Sequence, residues 1–403
     1  MKIRSITYFC NPKYPLEESI LRKAGRFLSE AKSAYEAAGY EVQTVRLATV
    51  PFPRLLGEAN LNRLPELTRQ MDRITQQLGI GYFSLGPALP EVPRSYEIIP
   101  DAIFMSKNAF FGGVMADIAN EIDLAAVQAC AEIIVKCATI EPNGFANLQF
   151  AALANVRPGA PFLPAAYHEG DTPAFAIATE SADLAVQAFE HAKSLEEGRG
   201  HLVLEIEKHG KRLAQIAKSL ECKFGGIDFS LAPFPDDAHS LGNAVEKIGV
   251  PRIGQHGSLA AAAILTEAID RAYFPHTGFS GFMQPVLEDS VLAKRAAEGT
   301  LTIKDVLLYS AVCGTGLDTV PLPGDTTAGQ LVPLLLDVCA LALRLDKPLT
   351  ARLMPVPGKQ AGDETTFDFG FFVNSRVMAL ESAPLSAPFN TREVLQIKKR
   401  QSI

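Results

Sequence analysis

The feature that most limits the fold is a strand–helix alternation that runs along the chain without a break. Residues 2–9 alternate apolar and polar, as a half-buried strand does. Residues 17–38 carry apolar side chains at helical spacing and stop at Gly39, and residues 42–47 return to strand character. Pro51, Pro53 and Gly57 mark a loop before a helix predicted at 64–78, and 81–85 reads as a short strand. Downstream, helices are predicted at 123–137, 181–192, 201–220, 289–298, 302–312 and 330–345, with another opening at Ser258. Strands are predicted at 145–156, 174–178, 224–231, 351–355 and 367–372. Ser181 and Ser258 are placed as N-caps. This alternation is the signature of a parallel or mixed sheet covered by helices. No repeat, low-complexity tract or linker divides the 403 residues. The expectation is one large α/β barrel-like domain over 1–403, with helices outside a mixed or parallel barrel and an irregular tail from about 380.

Composition narrows the partners. A net charge of −7 argues against nucleic acid, because phosphate binding needs a basic face. The longest apolar stretch, 331–345, is interrupted by Pro333, Asp337 and Arg344, so no membrane span is expected. The N-terminus alternates apolar and polar residues and does not read as a signal peptide. Six cysteines without a CxxC pair suggest neither a zinc ribbon nor a redox motif; they point to a reduced, cytoplasmic protein.

Candidate chemistry gathers where polar residues, glycines and prolines end apolar runs, chiefly at 280–325 and 355–363. Asp228 sits inside Gly225-Gly-Ile-Asp-Phe-Ser-Leu-Ala-Pro233, near the C-terminal end of the predicted strand, where α/β proteins collect ligands; the competing reading is a paired or capping carboxylate. His256, in Gly254-Gln-His-Gly-Ser258, precedes an alanine-rich helix whose start offers N–H groups to an anion, with a loop histidine as the plain alternative. Tyr167 and His168 lie in Ala165-Ala-Tyr-His-Glu-Gly170 and are placed with the substrate. Glu288, Asp289 and Asp325 form a candidate oxygen-rich set for Mg or Ca, although Asp289 and Asp325 also stand where a carboxylate offsets a helix dipole. Asp318 has no such capping role. Cys313, before Gly-Thr-Gly, is a candidate nucleophile against the commoner reading of a buried inert thiol. Lys359, in Pro357-Gly-Lys359, lacks the full phosphate-loop pattern but suits a substrate anion.

Taken in order, these stretches resemble a known family. They are Ile3-Arg-Ser-Ile-Thr-Tyr8, Phe162-Leu-Pro-Ala-Ala-Tyr-His-Glu-Gly170, Asp228-Phe-Ser-Leu-Ala-Pro233 and Gln255-His-Gly-Ser258. Then come Ser280-Gly-Phe-Met-Gln-Pro-Val-Leu-Glu-Asp289, Ala311-Val-Cys-Gly-Thr-Gly-Leu-Asp318, Pro323-Gly-Asp-Thr326 and Pro355-Val-Pro-Gly-Lys359. The sequence is similar to the uncharacterised protein family 0210, whose domain is called domain of unknown function 711. The resemblance implies a pyruvate formate-lyase-like α/β barrel and a cytoplasmic homodimer, and it supplies no reaction. Asn374-Ser-Arg-Val-Met378 has no Gly-Tyr after it, so glycyl-radical chemistry is not expected.

The function these readings favour is an enzyme acting on a small anionic metabolite by acid–base chemistry, assisted by a divalent metal in one version. His256 and Asp228 would be base and orienter, Glu288, Asp289, Asp318 and Asp325 metal or acid groups, and Lys359 the anion holder. The competing class is a non-catalytic ligand-binding or regulatory protein, and a thiol enzyme using Cys313 is a third reading.

Overall fold

The computed structural model describes residues 1–400 except 118, 120, 313 and 390. Eleven strands are present: β1 (Lys2–Cys10), β2 (Val42–Thr49), β3 (Tyr82–Ala88), β4 (Ala109–Ala116), β5 (Glu121–Asp123), β6 (Phe150–Ala154), β7 (Ala174–Glu180), β8 (Lys223–Asp228), β9 (Gly316–Pro323), β10 (Leu349–Val356) and β11 (Val394–Gln396). They form one mixed sheet in the order β8-β7-β1-β2-β3-β4-β6-β10-β9, with β5 and β11 attached beside β4. β1, β2, β3, β4 and β6 run parallel; β7 with β8, and β10 with β9, are parallel pairs that run against them.

Helices cover one face. The predicted helix at 17–38 is Glu18–Ala37, and it buries Leu21, Ala24, Phe27, Leu28, Ala31 and Tyr35. Phe27 meets β1 and β7 through ring contacts to Tyr8 at 5.3 Å and Phe175 at 4.9 Å. Burial of such side chains contributes ~1.5–3 kcal/mol each, which is why the apolar stripe fixes this helix. The other face of the sheet is filled by chain rather than by helices. Residues 156–168 and 279–287 supply Phe162, Leu163, Ala165, Ala166, Phe279, Met283 and Leu287, which pack with inward residues such as Phe9, Ala48, Phe110, Ala151, Leu153 and Met354.

The hydrogen-bonded ladder does not close; β8 and β9 stand at its ends. An irregular segment, 275–288, bridges to each of them, Ile227 with His276 and Pro285 with Asp318. Asp228 holds the segment in place. Its carboxylate accepts the Phe279 and Ser280 N–H groups at 2.9 Å each and the Ser230 hydroxyl. Ser280 sits at φ +41° to present its N–H, and Gly278 at φ +64° leaves no room for a side chain, because a Cβ there would lie 2.2 Å from Asp228 Oδ2.

Several expectations need correction. Residues 367–372 are not a strand; they form the tip of a hairpin-like loop whose base is a single bridge between Glu364 and Arg376. Side-chain capping there goes to Asn374, which accepts from Phe367 N at 2.7 Å and donates to Phe367 O at 3.0 Å, so the ladder is not needed. Ser258 is the first helical residue after Gly257 at φ +104°, and Ser181 spends its hydroxyl on Ser230 O at 2.7 Å instead of capping. The helix placed at 201–220 starts earlier, at Leu195, capped by Ser194. The 145–156 run opens with a 3-10 turn, Phe145–Gln149, before β6. The tail from 380 is largely irregular but returns to the sheet through β11, which pairs antiparallel with β5.

Gly278→Ala should therefore cost more than Gly249→Ala, which has φ +118° but open space around it. Both share a left-handed backbone cost of ~1 kcal/mol, and only the first collides with Asp228. The comparison of denaturant midpoints at equal slope tests this; equal losses would mean that Asp228 does not clamp the segment.

Candidate functional site

The inner face carries a cavity of about 290 Å³ where the N-terminal halves of β1 to β4 meet the C-terminal ends of β7 and β8. Larger clefts lie on the outer surface, such as one of about 640 Å³ along helices Ser290–Ala297, Ile303–Val312 and Ala328–Arg344. Ionisable groups, Glu288, Asp228 and Arg352 among them, converge on the inner cavity, as they do at functional sites.

Two irregularities in the sheet aim the key arginines. The ladder between β1 and β7 slips between Ile3 and Ser5, at Arg4. The ladder between β10 and β9 slips between Ala351 and Leu353, at Arg352, with Asp318 and Thr319 as the surplus residues opposite. Bulges are the usual means of redirecting a side chain next to a site. Thr319 is held at φ +42°, a strained conformation for a β-branched residue, and its hydroxyl accepts the Leu287 N–H at 3.3 Å.

These arginines join an ionic chain. Arg352 gives Nε to Asp318 Oδ1 at 2.5 Å and Nη2 to Glu288 Oε1 at 2.9 Å, and Arg4 gives Nη2 to Glu288 Oε2. Burial opposes ionisation of Glu288, but Arg4 and then Arg352 outweigh it and hold its pKa below the usual range. For Asp318 burial wins over Arg352 and the pKa rises. Arg4 is itself pushed up, because Glu288 and Glu180 more than offset its burial.

Arg46, on β2, is different. Its Nε donates to Thr44 Oγ1 at 2.9 Å and its guanidinium lies 5.8 Å from the Tyr82 ring centroid. Among the described residues no carboxylate pairs with it. Burial, then the neighbouring Arg4 cation, disfavours its charge and lowers its pKa. Phe110, Phe145, Phe162, Phe369 and Phe371 line the rest of the cavity with Leu148, Leu163 and Met283, and Asp228 and Ser230 face it from the end of β8. Burial raises the Asp228 pKa against its three donors.

The sequence-selected residues scatter. Asp228 and Glu288 line the cavity, and Asp318 lies behind Arg352. His256 is exposed on the turn before Ser258–Arg271 and lies outside the cavity lining, so it does not pair with Asp228. Asp289 is buried at the junction of two helices. It accepts from Val291 N and Leu292 N at 3.0 Å, Ser240 Oγ and Leu241 N at 2.6 Å, and Gly242 N at 3.2 Å. With its oxygens saturated it is a double cap. Asp325 is exposed beside Gln360, and Thr327 caps the following helix with Gln330. Glu288, Asp289 and Asp325 thus do not form one coordination set, and among the described residues no three His, Cys, Asp or Glu side chains gather as metal ligands.

Lys359 lies outside the cavity lining; its carbonyl accepts the Gly324 N–H at 2.9 Å. Tyr167 donates to Val156 O at 2.9 Å, and burial pushes its pKa up to about 12. His168 is buried with Nε2 unpartnered, its N–H bonded to Thr49 O at 2.9 Å. Cys313 lies outside the described residues. Arg4, Arg46 and Arg352 are the site residues that sequence reasoning missed. The signal was an arginine inside an otherwise apolar strand, clearest in β10, where every residue including Arg352 is buried.

Two outcomes follow. Arg352→Met leaves buried Asp318 without a partner and Glu288 with Arg4 alone, and should cost ~3–5 kcal/mol, while adding Asp318→Asn should recover part of that loss in denaturant unfolding. Burial depresses the native His168 pKa, so below its unfolded value near ~6.5 the unfolded chain takes a proton that the native chain refuses. Stability contributed by neutral His168 is complete above that pH and is lost as pH falls toward the native pKa. His168→Gln should flatten the fall of Tm on the acid side of ~6.5; an unchanged slope would count against it.

Comparison with known proteins agrees with the resemblance. The model of the family described as Uncharacterised ACR (DUF711) matches residues 1–374. A UPF0210 protein of Pyrobaculum aerophilum is 33% identical over 347 residues, covering 81% of this chain and 76% of its own length. One from Pyrobaculum islandicum is 30% identical over 376 residues, covering 88% and 82%. One from Oenococcus oeni is 26% identical over 373 residues, covering 88% and 83%. The chain belongs to the DUF711 family, the uncharacterised UPF0210 proteins.

Proposed function

We propose that the protein binds a small organic anion in the inner cavity and performs acid–base chemistry on it. The observation that carries this reading is Arg46, a guanidinium in the aromatic lining of the cavity that no carboxylate contacts among the described residues. Arg46 is half-buried, and a cation so placed without a carboxylate in contact is costly; an anionic ligand lowers that cost. In this reading Arg46 holds the anion, with Arg4 beside it. Asp228 carries the proton at the cavity wall, since burial favours its protonated form, and Ser230 is bonded to it. Glu288 and Asp318 position Arg4 and Arg352 instead of binding metal. The segment 275–288 completes a pyruvate formate-lyase-like barrel by lying between the two edge strands, a reading supported by its bridges to β8 and β9.

A cytoplasmic homodimer belongs to the same proposal. Five free cysteines, 10, 130, 137, 222 and 339, support a reducing setting, and among the described residues no helix is long and apolar enough to cross a membrane. The alternative, a non-catalytic binding or regulatory protein, is favoured by one specific fact. The cavity carboxylates are already engaged by protein donors: Glu288 by Arg4 and Arg352, and Asp228 by Ser230 and two backbone N–H groups.

A thermal-shift screen of organic acids, followed by NMR of each stabilising compound over time, separates the two. Arg46→Gln should weaken binding by ~10–100-fold, the worth of a charge-assisted hydrogen bond. Asp228→Asn should keep binding and lower turnover by ~10²–10⁴-fold. A ligand that binds and never changes selects the regulatory reading; organic acids that stabilise Arg46→Gln as well as the parent remove the site assignment.

A further inference from the structure

We infer that the ligand of this cavity carries one negative charge and a flat apolar body of about one ring, seated between Arg46 and the aromatic hairpin tip Phe369-Gly370-Phe371. This deepens the anion-binding reading and rests on it. The charge follows from pairing. Three guanidiniums enter the cavity region, those of Arg4, Arg46 and Arg352. Glu288 and Asp318 engage Arg4 and Arg352, which leaves Arg46 as the one guanidinium of the three with no carboxylate in ion-pair contact. Lys107, at the mouth, is mostly exposed and paired with Glu141 at 3.1 Å. The other nearby carboxyls, Asp228 and Glu180, have hydroxyl, amide or backbone donors as partners, Glu180 accepting from Gln43 Nε2 at 2.6 Å. Burial pushes both toward the protonated form. One anionic group balances the site, and a second would be buried without a cation.

The body follows from the walls. Phe145 meets Phe369 at 5.1 Å, Phe372 at 5.9 Å and Phe367 at 6.2 Å, and Phe371 reaches Phe234 at 6.1 Å. Phe162 lies against the Arg352 guanidinium at 5.6 Å. The hairpin that supplies Phe369 and Phe371 is fastened at its root. Thr365 N donates to Ser375 O at 2.9 Å, and Val373 N donates to Leu287 O at 2.7 Å, one residue before Glu288. The wall and the arginine network therefore share one backbone. Flat aromatic walls favour a planar apolar partner, through offset or edge-on contacts. At about 290 Å³ the cavity is at the small end of ligand sites and too tight for a nucleotide.

The test is titration calorimetry of the full chain with four probes: phenylacetate, acetate, phthalate and phenylacetamide. Phenylacetate should bind at least ~10-fold tighter than each of the others, and Arg46→Gln should remove that advantage over phenylacetamide. Phe371→Ala, at a partly exposed position, should weaken phenylacetate by ~5-fold or more and leave acetate unchanged. Tighter binding of phthalate, or equal binding of the neutral amide, overturns the single-charge assignment. Equal binding of acetate and phenylacetate overturns the aromatic body while anion binding at Arg46 stands. If none of the probes binds and Arg46→Gln is silent in the wider organic-acid screen, the underlying anion site falls as well.

Discussion

The buried chain Asp318–Arg352–Glu288–Arg4 is the constraint on which the inner face depends. Four ionisable groups paired in a sheet interior are stable only if each has its partner, because a charge left alone there costs several kcal/mol. The residues come from β9, β10, the bridging segment and β1, so the ionic chain ties one end of the open ladder to β1, two strands in from the other end. Bulges at Arg4 and at Asp318–Thr319, and the positive φ of Thr319, are local costs that this tie offsets.

The same arrangement explains why the cavity sits where it does. In open parallel sheets ligands gather at the carboxyl ends of the strands. Here β7 and β8 run against β1 to β4, so one end of the sheet presents the carboxyl ends of the first pair and the amino ends of the others. Asp228 comes from the first group and Arg4, Thr44 and Tyr82 from the second. A mixed sheet brings an acid, an arginine and two hydroxyl groups to one place without a helix N-terminus.

What could be read in the sequence follows the strength of periodic patterns. Glu18–Ala37 and β1 declare themselves through spacing alone. β4 and β9 do not, because Gly112, Gly113, Pro321 and Pro323 look like loop residues, and they become strands through neighbours far away in sequence. Asp228 stood out because a carboxylate at the end of an apolar strand has few cheap explanations. The arginines were hidden by the same logic: in an alternating strand a charged residue reads as solvent-facing, and the sequence does not show that Arg4 and Arg352 meet Glu288 and Asp318. The fold places His256 outside the inner cavity. A glycine turn before a helix has site-like chemistry wherever it occurs, and position in the fold decides whether it is used.

The position of β1 has a consequence for synthesis. The first strand of the chain lies in the middle of the sheet, and Arg4 meets Glu288 across 284 residues. At ribosomal rates of ~5–20 residues per second, roughly 15–60 s separate their emergence. During that interval β1 and β2 can pair, but Arg4 lacks Glu288 and the inner face lacks the filling residues of 279–287. A nascent chain of this kind has a native-like half-sheet with an exposed apolar face, the form most prone to pair with other chains and most in need of a chaperone.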